Sequence, residues 1–325
     1  MNKLSITGLL AGIALLILLI ALHNVGDITT ALSIAGWSGV IFITVASLPA
    51  MLLCGLAWSR VFPDQLAGGD LFFMRARLIR DGVSNLIAVP LGEQVIGVRM
   101  LTQAGISTSL AAASVVVDLT TELLGQFLFT LIGLLLLSRT HPDNPVFYWA
   151  GLGALVAVPV LFGFIFMQVS GLRLLERLSG KLAETYDWSM LKGISSLKTG
   201  IHSLYEHRNG FRTSLLLHLL AWLLGVLPTW IGLRLLNHTL GLTDVTVIES
   251  MTFAIRTVAF FVPGALGVQE GAYILIGGLY GLTPETALAL SLLKRGRDLL
   301  LGIPTLLTWQ FDEVKSVWQR SNKQT

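Results

Sequence analysis

Residues 262–302 read VPGALGVQEGAYILIGGLYGLTPETALALSLLKRGRDLLLG. A Pro-Gly pair and a second glycine interrupt an apolar stretch at Val262–Gly267, and Glu270 follows at once. Proline removes a backbone donor and glycine loosens the helix, so the segment reads as two half-helices around a break. Beyond Gly281-Leu282-Thr283 comes a long apolar helix with Lys294, Arg295, Arg297 and Asp298 in its middle. Residues 89–126 repeat the plan in VPLGEQVIGVRMLTQAGISTSLAAASVVVDLTTELLGQ: break, carboxylate, short helix, Gly-Ile-Ser, long charged helix. Aligning Gly105-Ile106-Ser107 with Gly281-Leu282-Thr283 sets Asp118 opposite Lys294 and Glu122 opposite Asp298, with Glu93 and Glu270 one residue out of step. A matched pair of Gly/Pro-interrupted apolar segments points to a binding site of transporter type. We expect repeat halves at about 70–137 and 245–310, with breaks at Pro90, Gly92, Pro263, Gly264 and Gly267.

Outside these stretches the chain is mostly apolar. Of 325 residues, 54% are hydrophobic and 13% charged, against about 25% charged in soluble domains. Hydrocarbon offers no partner for an open backbone, so the expected fold is a single all-α polytopic membrane domain, residues 1–325. Full spans are expected at Leu4–Leu22, Val40–Trp58 (with Pro49 as a kink), Ser109–Leu137, Val146–Met167, Ser214–Leu236 and Thr286–Trp309. With the two broken hairpins this makes about six spans and two re-entrant segments. No small-residue cleavage site follows Leu22, so the first helix reads as retained.

Lys3, the group from Arg60 to Arg80, the segment Arg173–Arg212 and Lys315–Lys323 are positive, whereas His23–Thr30 and Asn237–Asp244 have no Lys or Arg. The bias places both termini and Arg173–Arg212 in the cytoplasm. It closes if the first hairpin dips in from the cytoplasm and the second from outside, which makes the repeat inverted. Two full crossings with Arg139 cytoplasmic are the alternative. Residues 171–212 are amphipathic and read as helices lying on the cytoplasmic leaflet.

Ionisable groups at membrane depth cost about 2.5–3.5 kcal/mol each and mark function. Glu93, Arg99, Asp118 and Glu122 in the first half and Arg256, Glu270, Arg295, Arg297 and Asp298 in the second are the candidate substrate path. Asp118 and Glu122 share one helix face, since residues four apart are neighbours. Acids dominate the first long helix and bases the second, so the halves are expected to face one another as complementary charges. Interhelical ion pairs with a purely structural role would satisfy the same pattern. Glu93 and Glu270 would also serve as helix caps.

There is no H-E-x-x-H, G-x-S-x-G or P-loop sequence. The six histidines are scattered, and His218 lies in a span with no second ligand near it in sequence. The single cysteine, Cys54, rules out an internal disulfide and reads as a small apolar filler. No catalytic residue, metal or cofactor is expected. The net charge of +3 matches loop Lys and Arg, not a nucleic-acid partner.

Pro90-Leu91-Gly92-Glu93, Asp118-x-x-x-Glu122, Pro263-Gly264-Ala265-Leu266-Gly267-Val268-Gln269-Glu270-Gly271 and Lys294-Arg295-Gly296-Arg297-Asp298 resemble the flippase-like membrane proteins related to the transmembrane region of lysylphosphatidylglycerol synthases. The last two motifs, with Gly302-Ile303-Pro304 and Trp309-Gln310, look most like the hopanoid-biosynthesis-associated branch. The resemblance implies a multi-pass protein of the bacterial cytoplasmic membrane that handles a polar-headed lipid, with membrane lipid and lipid-biosynthesis enzymes as partners. In the synthases a soluble aminoacyl-transferase domain follows. This sequence ends at Thr325 without one, so lipid handling without aminoacyl transfer is expected. The alternative is a membrane enzyme, or an accessory or scaffold subunit, in lipid biosynthesis.

Overall fold

A computed structural model describes residues 3–63, 69–87, 92–168, 188–259 and 262–321. Among them every regular element is helical. In chain order these are α1 (Lys3–Ala21), α2 (Val25–Arg60), α3 (Gly69–Ile87), α4 (Gly92–Gln103), α5 (Thr108–Thr140), α6 (Pro145–Phe166), α7 (Trp188–Glu206), α8 (Arg208–Leu224), α9 (Val226–Leu235), α10 (Leu242–Val258), α11 (Val268–Gly278) and α12 (Pro284–Ser321). A single 3-10 turn, Pro263–Ala265, separates α10 from α11.

Among the described residues four segments are long and apolar enough to cross a membrane: Val25–Arg60, Thr108–Thr140, Pro145–Phe166 and Arg208–Leu235. The other two expected spans correspond to α1, whose apolar part is the shorter Leu10–Ala21, and to the charged α12. The protein is an all-α polytopic membrane protein. Its α6 carries its apolar side chains outward almost throughout, as a lipid-facing helix does. Two boundaries differ from expectation. Asn24 caps α2 through its side chain, so the presumed loop after His23 is already helix. The non-helical residue inside α2 is Gly36 (φ 56°), not Pro49.

The two long charged helices begin alike. The chain leaves α4 through Gly105 (φ 93°) and α11 through Gly281 (φ 78°). Ile106 N–H reaches back to Leu101 O and Leu282 N–H to Gly277 O, both at 3.1 Å, while the glycine N–H groups bond Thr102 O and Gly278 O. This is the Schellman closure, which requires a left-handed residue and so favours glycine. Ser107 then accepts from Leu110 N–H, and Thr283 from Thr286 N–H, as N-caps. A serine or threonine two residues after glycine therefore turns each short helix into its long partner.

Packing relies on small residues at crossings, as close backbone approach in lipid does. A Cβ on Gly82 would lie 1.9 Å from Thr305 Oγ1, and one on Gly302 would lie 2.9 Å from Gly82 O, so α3 and α12 touch there. One on Gly133 would lie 1.7 Å from Ser250 Oγ, where α5 crosses α10. Two apolar cores result. One gathers Trp58, Phe73, Ile79, Leu101, Val115 and Leu204; the other gathers Ile43, Phe129, Leu233, Ile248, Tyr273 and Leu290. Helices α2 and α5 run through both. The apolar stripe of α7 (Leu197, Ile201, Leu204) packs into the first core, against α5, rather than lying free on a leaflet. The first part of the expected amphipathic segment, residues 171–187, lies outside the described residues.

The second break is anchored on α1. Gly267 (φ 73°) leaves so little room that a Cβ would lie 2.8 Å from both Gly12 O and Leu15 Cβ, whereas one on Gly264 (φ 64°) would meet nothing nearer than 3.8 Å. Gly264→Ala should therefore cost about 1–2 kcal/mol, the left-handed penalty alone. Gly267→Ala should cost more, because overlap with α1 adds to it. Thermal unfolding in detergent should rank wild type above Gly264→Ala above Gly267→Ala; equal losses would show that the contact with α1 does not matter.

Candidate functional site

Midway between the two cores lies a cleft of about 210 Å³. Its wall includes Ser47, Met51 and Cys54 of α2, Arg77 and Asp81 of α3, Glu93 of α4, Glu122 of α5, Trp222 of α8, Glu249 and Phe253 of α10, and Lys294, Arg297 and Asp298 of α12. Glu122 is fourteen residues into α5 and eighteen from its end, about 21 and 27 Å at the helical rise. Glu122 is therefore well inside the bundle, and the ionisable lining around it is drawn from both halves.

On the first side Arg77 is the hub. Its guanidinium donates to both Glu122 oxygens, one at 2.8 Å, while its Nε pairs with Asp81 at 2.8 Å one turn along α3. Bidentate pairing of this kind fixes geometry as well as charge. One layer deeper, fully buried Asp118 accepts from Arg80 Nη1 at 3.0 Å and meets His218 Nε2 at 3.0 Å. Arg80 stacks over Trp58 at 4.6 Å, and Trp58 Nε1 donates to Ser114. Lining and backing layers form one network from α2, α3, α5 and α8.

On the second side Glu249 and Lys294 are both buried. Lys294 Nζ donates to each Glu249 oxygen at 2.9 Å, to Thr229 at 3.0 Å and to the Tyr273 hydroxyl at 2.6 Å. The Thr229 and Tyr273 hydroxyls in turn donate to Glu249. Arg297 pairs with its chain neighbour Asp298 at 2.6 Å and reaches Ser47 of α2 at 3.4 Å. Trp222 meets Phe253 edge-on at 4.8 Å in the cleft wall.

Of the nine residues proposed from sequence, Glu93, Glu122, Arg297 and Asp298 line the cleft, and Asp118 backs it. Arg256 lies 5.0 Å from the Phe253 ring, beside the cleft. Glu270 and Arg295 belong instead to the break. Arg295 donates to Glu270 at 3.2 Å, to Gly264 O at 2.7 Å and to Ala265 O at 3.3 Å, which holds the strained turn where Ala265 has a positive φ. Arg99 is a correction: half-exposed on α4, it pairs with Glu313 near the end of α12, away from the cleft. Pro90 lies outside the described residues, and Gly92 opens α4.

The expected complementarity between halves is also corrected. The acids of α5 are matched by Arg77 and Arg80 of their own half, and the base of α12 by Glu249 of its own half. Sequence reading counted Arg77 and Arg80 as loop charges, set His218 aside and passed over Glu249. The available signal for α3 was helical spacing: Arg77, Arg80 and Asp81 share one face of an otherwise amphipathic helix.

The sequence profile of the family described as lysylphosphatidylglycerol synthase TM region matches residues 5–304. The chain belongs to that family. Every cleft residue named above falls within the matched span, so the cleft is a feature of this chain's lysylphosphatidylglycerol synthase TM region. Comparisons with curated proteins and with solved structures gave no match.

Removing one partner of a buried ion pair strands the other, at about 3–5 kcal/mol. Lys294→Ala should destabilise the protein by that amount, while Lys294→Met combined with Glu249→Leu should recover most of the loss. Chemical unfolding in detergent measures both; a double variant as unstable as the single would show that the loss is not one of stranded charge.

Proposed function

We propose that the protein moves a polar-headed membrane lipid between leaflets, the head group passing through the charged cleft while the apolar tails stay in the bilayer. The observation that carries this is a cleft lined by ionisable groups from both halves at mid-helix depth. Charges so placed cost about 2.5–3.5 kcal/mol each unless paired or solvated, and they are retained where a polar substrate or ion needs them. Five carboxylates and three bases line the cleft, which suits a head group bearing cationic or hydroxyl groups. Membership of a lipid-associated membrane family supports the same reading.

The motif likeness to the hopanoid-associated branch extends the proposal to a polycyclic lipid in the bacterial cytoplasmic membrane. The charge bias of the loops supports a cytoplasmic position for both termini, with lipid-biosynthesis enzymes as candidate partners.

Reconstituted protein should accelerate exchange of a head-group-labelled phospholipid between leaflets of a liposome. Glu122→Gln and Asp298→Asn should slow it by about 10–100-fold, equivalent to one lost charge-assisted hydrogen bond of about 1.5–3 kcal/mol. Arg99→Ala, distant from the cleft, should leave the rate unchanged. Exchange no faster than in protein-free vesicles, across anionic, cationic and polycyclic lipids, would sink the proposal.

A further inference from the structure

At the cleft wall and just behind it, donor atoms from three helices converge. The Cys54 thiol of α2, a Glu122 carboxylate oxygen of α5 and a ring nitrogen of His218 on α8 all lie within 4.8 Å of one another. His218 is fully buried, and its two nitrogens have different surroundings. Nε2 is 3.0 Å from Asp118 Oδ1, whereas Nδ1 is buried with no hydrogen-bond partner. A neutral imidazole carries its proton on one nitrogen and a lone pair on the other. With a proton on Nε2 facing the carboxylate, Nδ1 would offer its lone pair to a metal. A carboxylate behind an imidazole is how metal-binding histidines are oriented.

We propose that Cys54, Glu122 and His218 bind a divalent cation of the zinc class, with Asp118 as positioning residue and a fourth coordination position open to the cleft. Sulfur and imidazole nitrogen exclude calcium and magnesium, which take oxygen ligands, and match zinc. Three protein ligands with one position free is the arrangement of a zinc site that receives an exogenous ligand. Cys54 and Glu122 both line the cleft, so the free position faces the space the lipid head group would use. Zinc bonds of about 2.0–2.3 Å set tetrahedral ligands about 3.3–3.7 Å apart. From a spread of up to 4.8 Å the donors would have to draw together by about 1 Å to reach this spacing. Arg77 occupies two of the roughly four acceptor positions of the Glu122 carboxylate, leaving others for the metal. Binding releases the thiol proton, so the dication raises the charge of the site by one unit, beside the Asp81 and Glu93 carboxylates of the same cleft.

The site stands on these donors alone and is independent of lipid movement. Chelator-treated full-length protein in detergent, titrated with Co²⁺, should develop thiolate-to-cobalt absorption saturating at one equivalent, and Zn²⁺ should displace it. Cys54→Ser should abolish the band while the fold persists, since Cys54 is only half-buried. Asp118→Asn should weaken metal binding by about 10–100-fold, and Arg99→Ala should bind as wild type does. Because Cys54 is the only cysteine, Zn²⁺ should also slow its modification by a small methanethiosulfonate reagent in wild type but not in Glu122→Gln or His218→Ala. Should His218→Ala fail to fold, the Cys54→Ser and Glu122→Gln comparisons decide. Absence of a thiolate band at saturating Co²⁺, or equal metal content in wild type and Cys54→Ser, would overturn the proposal.

Discussion

Placing charge where water is scarce governs this molecule. An isolated ionised group in hydrocarbon costs several kcal/mol, and pairing repays that only with good geometry and satisfied hydrogen bonds. Each half meets the condition on its own. Arg77 and Arg80 neutralise Asp118 and Glu122 across α3 and α5; Glu249 neutralises Lys294 across α10 and α12, with Thr229 and Tyr273 bonding both partners. The sign is reversed between the halves: the long helix is acidic in one and basic in the other. Because these pairs close within each half, the space between the halves is free to be a cleft and not a sealed salt-bridge core.

The helix boundaries follow from this division. The long helices pass from one apolar core to the other, and the charges sit where the two cores leave off. The turn that starts each one is dictated locally, by glycine in a left-handed conformation followed by a capping hydroxyl. Small residues at the crossings of α3 with α12 and α5 with α10 bring the helices close enough for short side-chain hydrogen bonds across them.

Much of the architecture is readable in the chain because lipid imposes it. Apolar runs gave the helices, and Gly105-Ile106-Ser107 with Gly281-Leu282-Thr283 located matching turns. Glu93, Glu122, Arg297 and Asp298 could be named as cleft residues because charge inside an apolar run has few explanations. The partners were less legible. Arg77 and Arg80 sit among Arg60 and Arg75, which pair with Asp70 and Asp312, and composition alone cannot separate loop cations from buried ones. Glu249 and His218 lie 45 and 100 residues from Lys294 and Asp118, so only tertiary packing joins them. Arg99 was misplaced for the converse reason: its short helix looks intramembrane, yet Glu313 draws the side chain to the opposite end of α12.

The break before α11 carries a further consequence. Exposed carbonyls at interrupted membrane helices are natural seats for sodium ions or protons. Here the Gly264 and Ala265 carbonyls are already taken by Arg295, beside the Glu270 carboxylate. A guanidinium tethered to the backbone cannot leave for either aqueous phase, so the positive charge at this point is a permanent fixture and not a passenger. The break is thus a place where the fold has built its cation in.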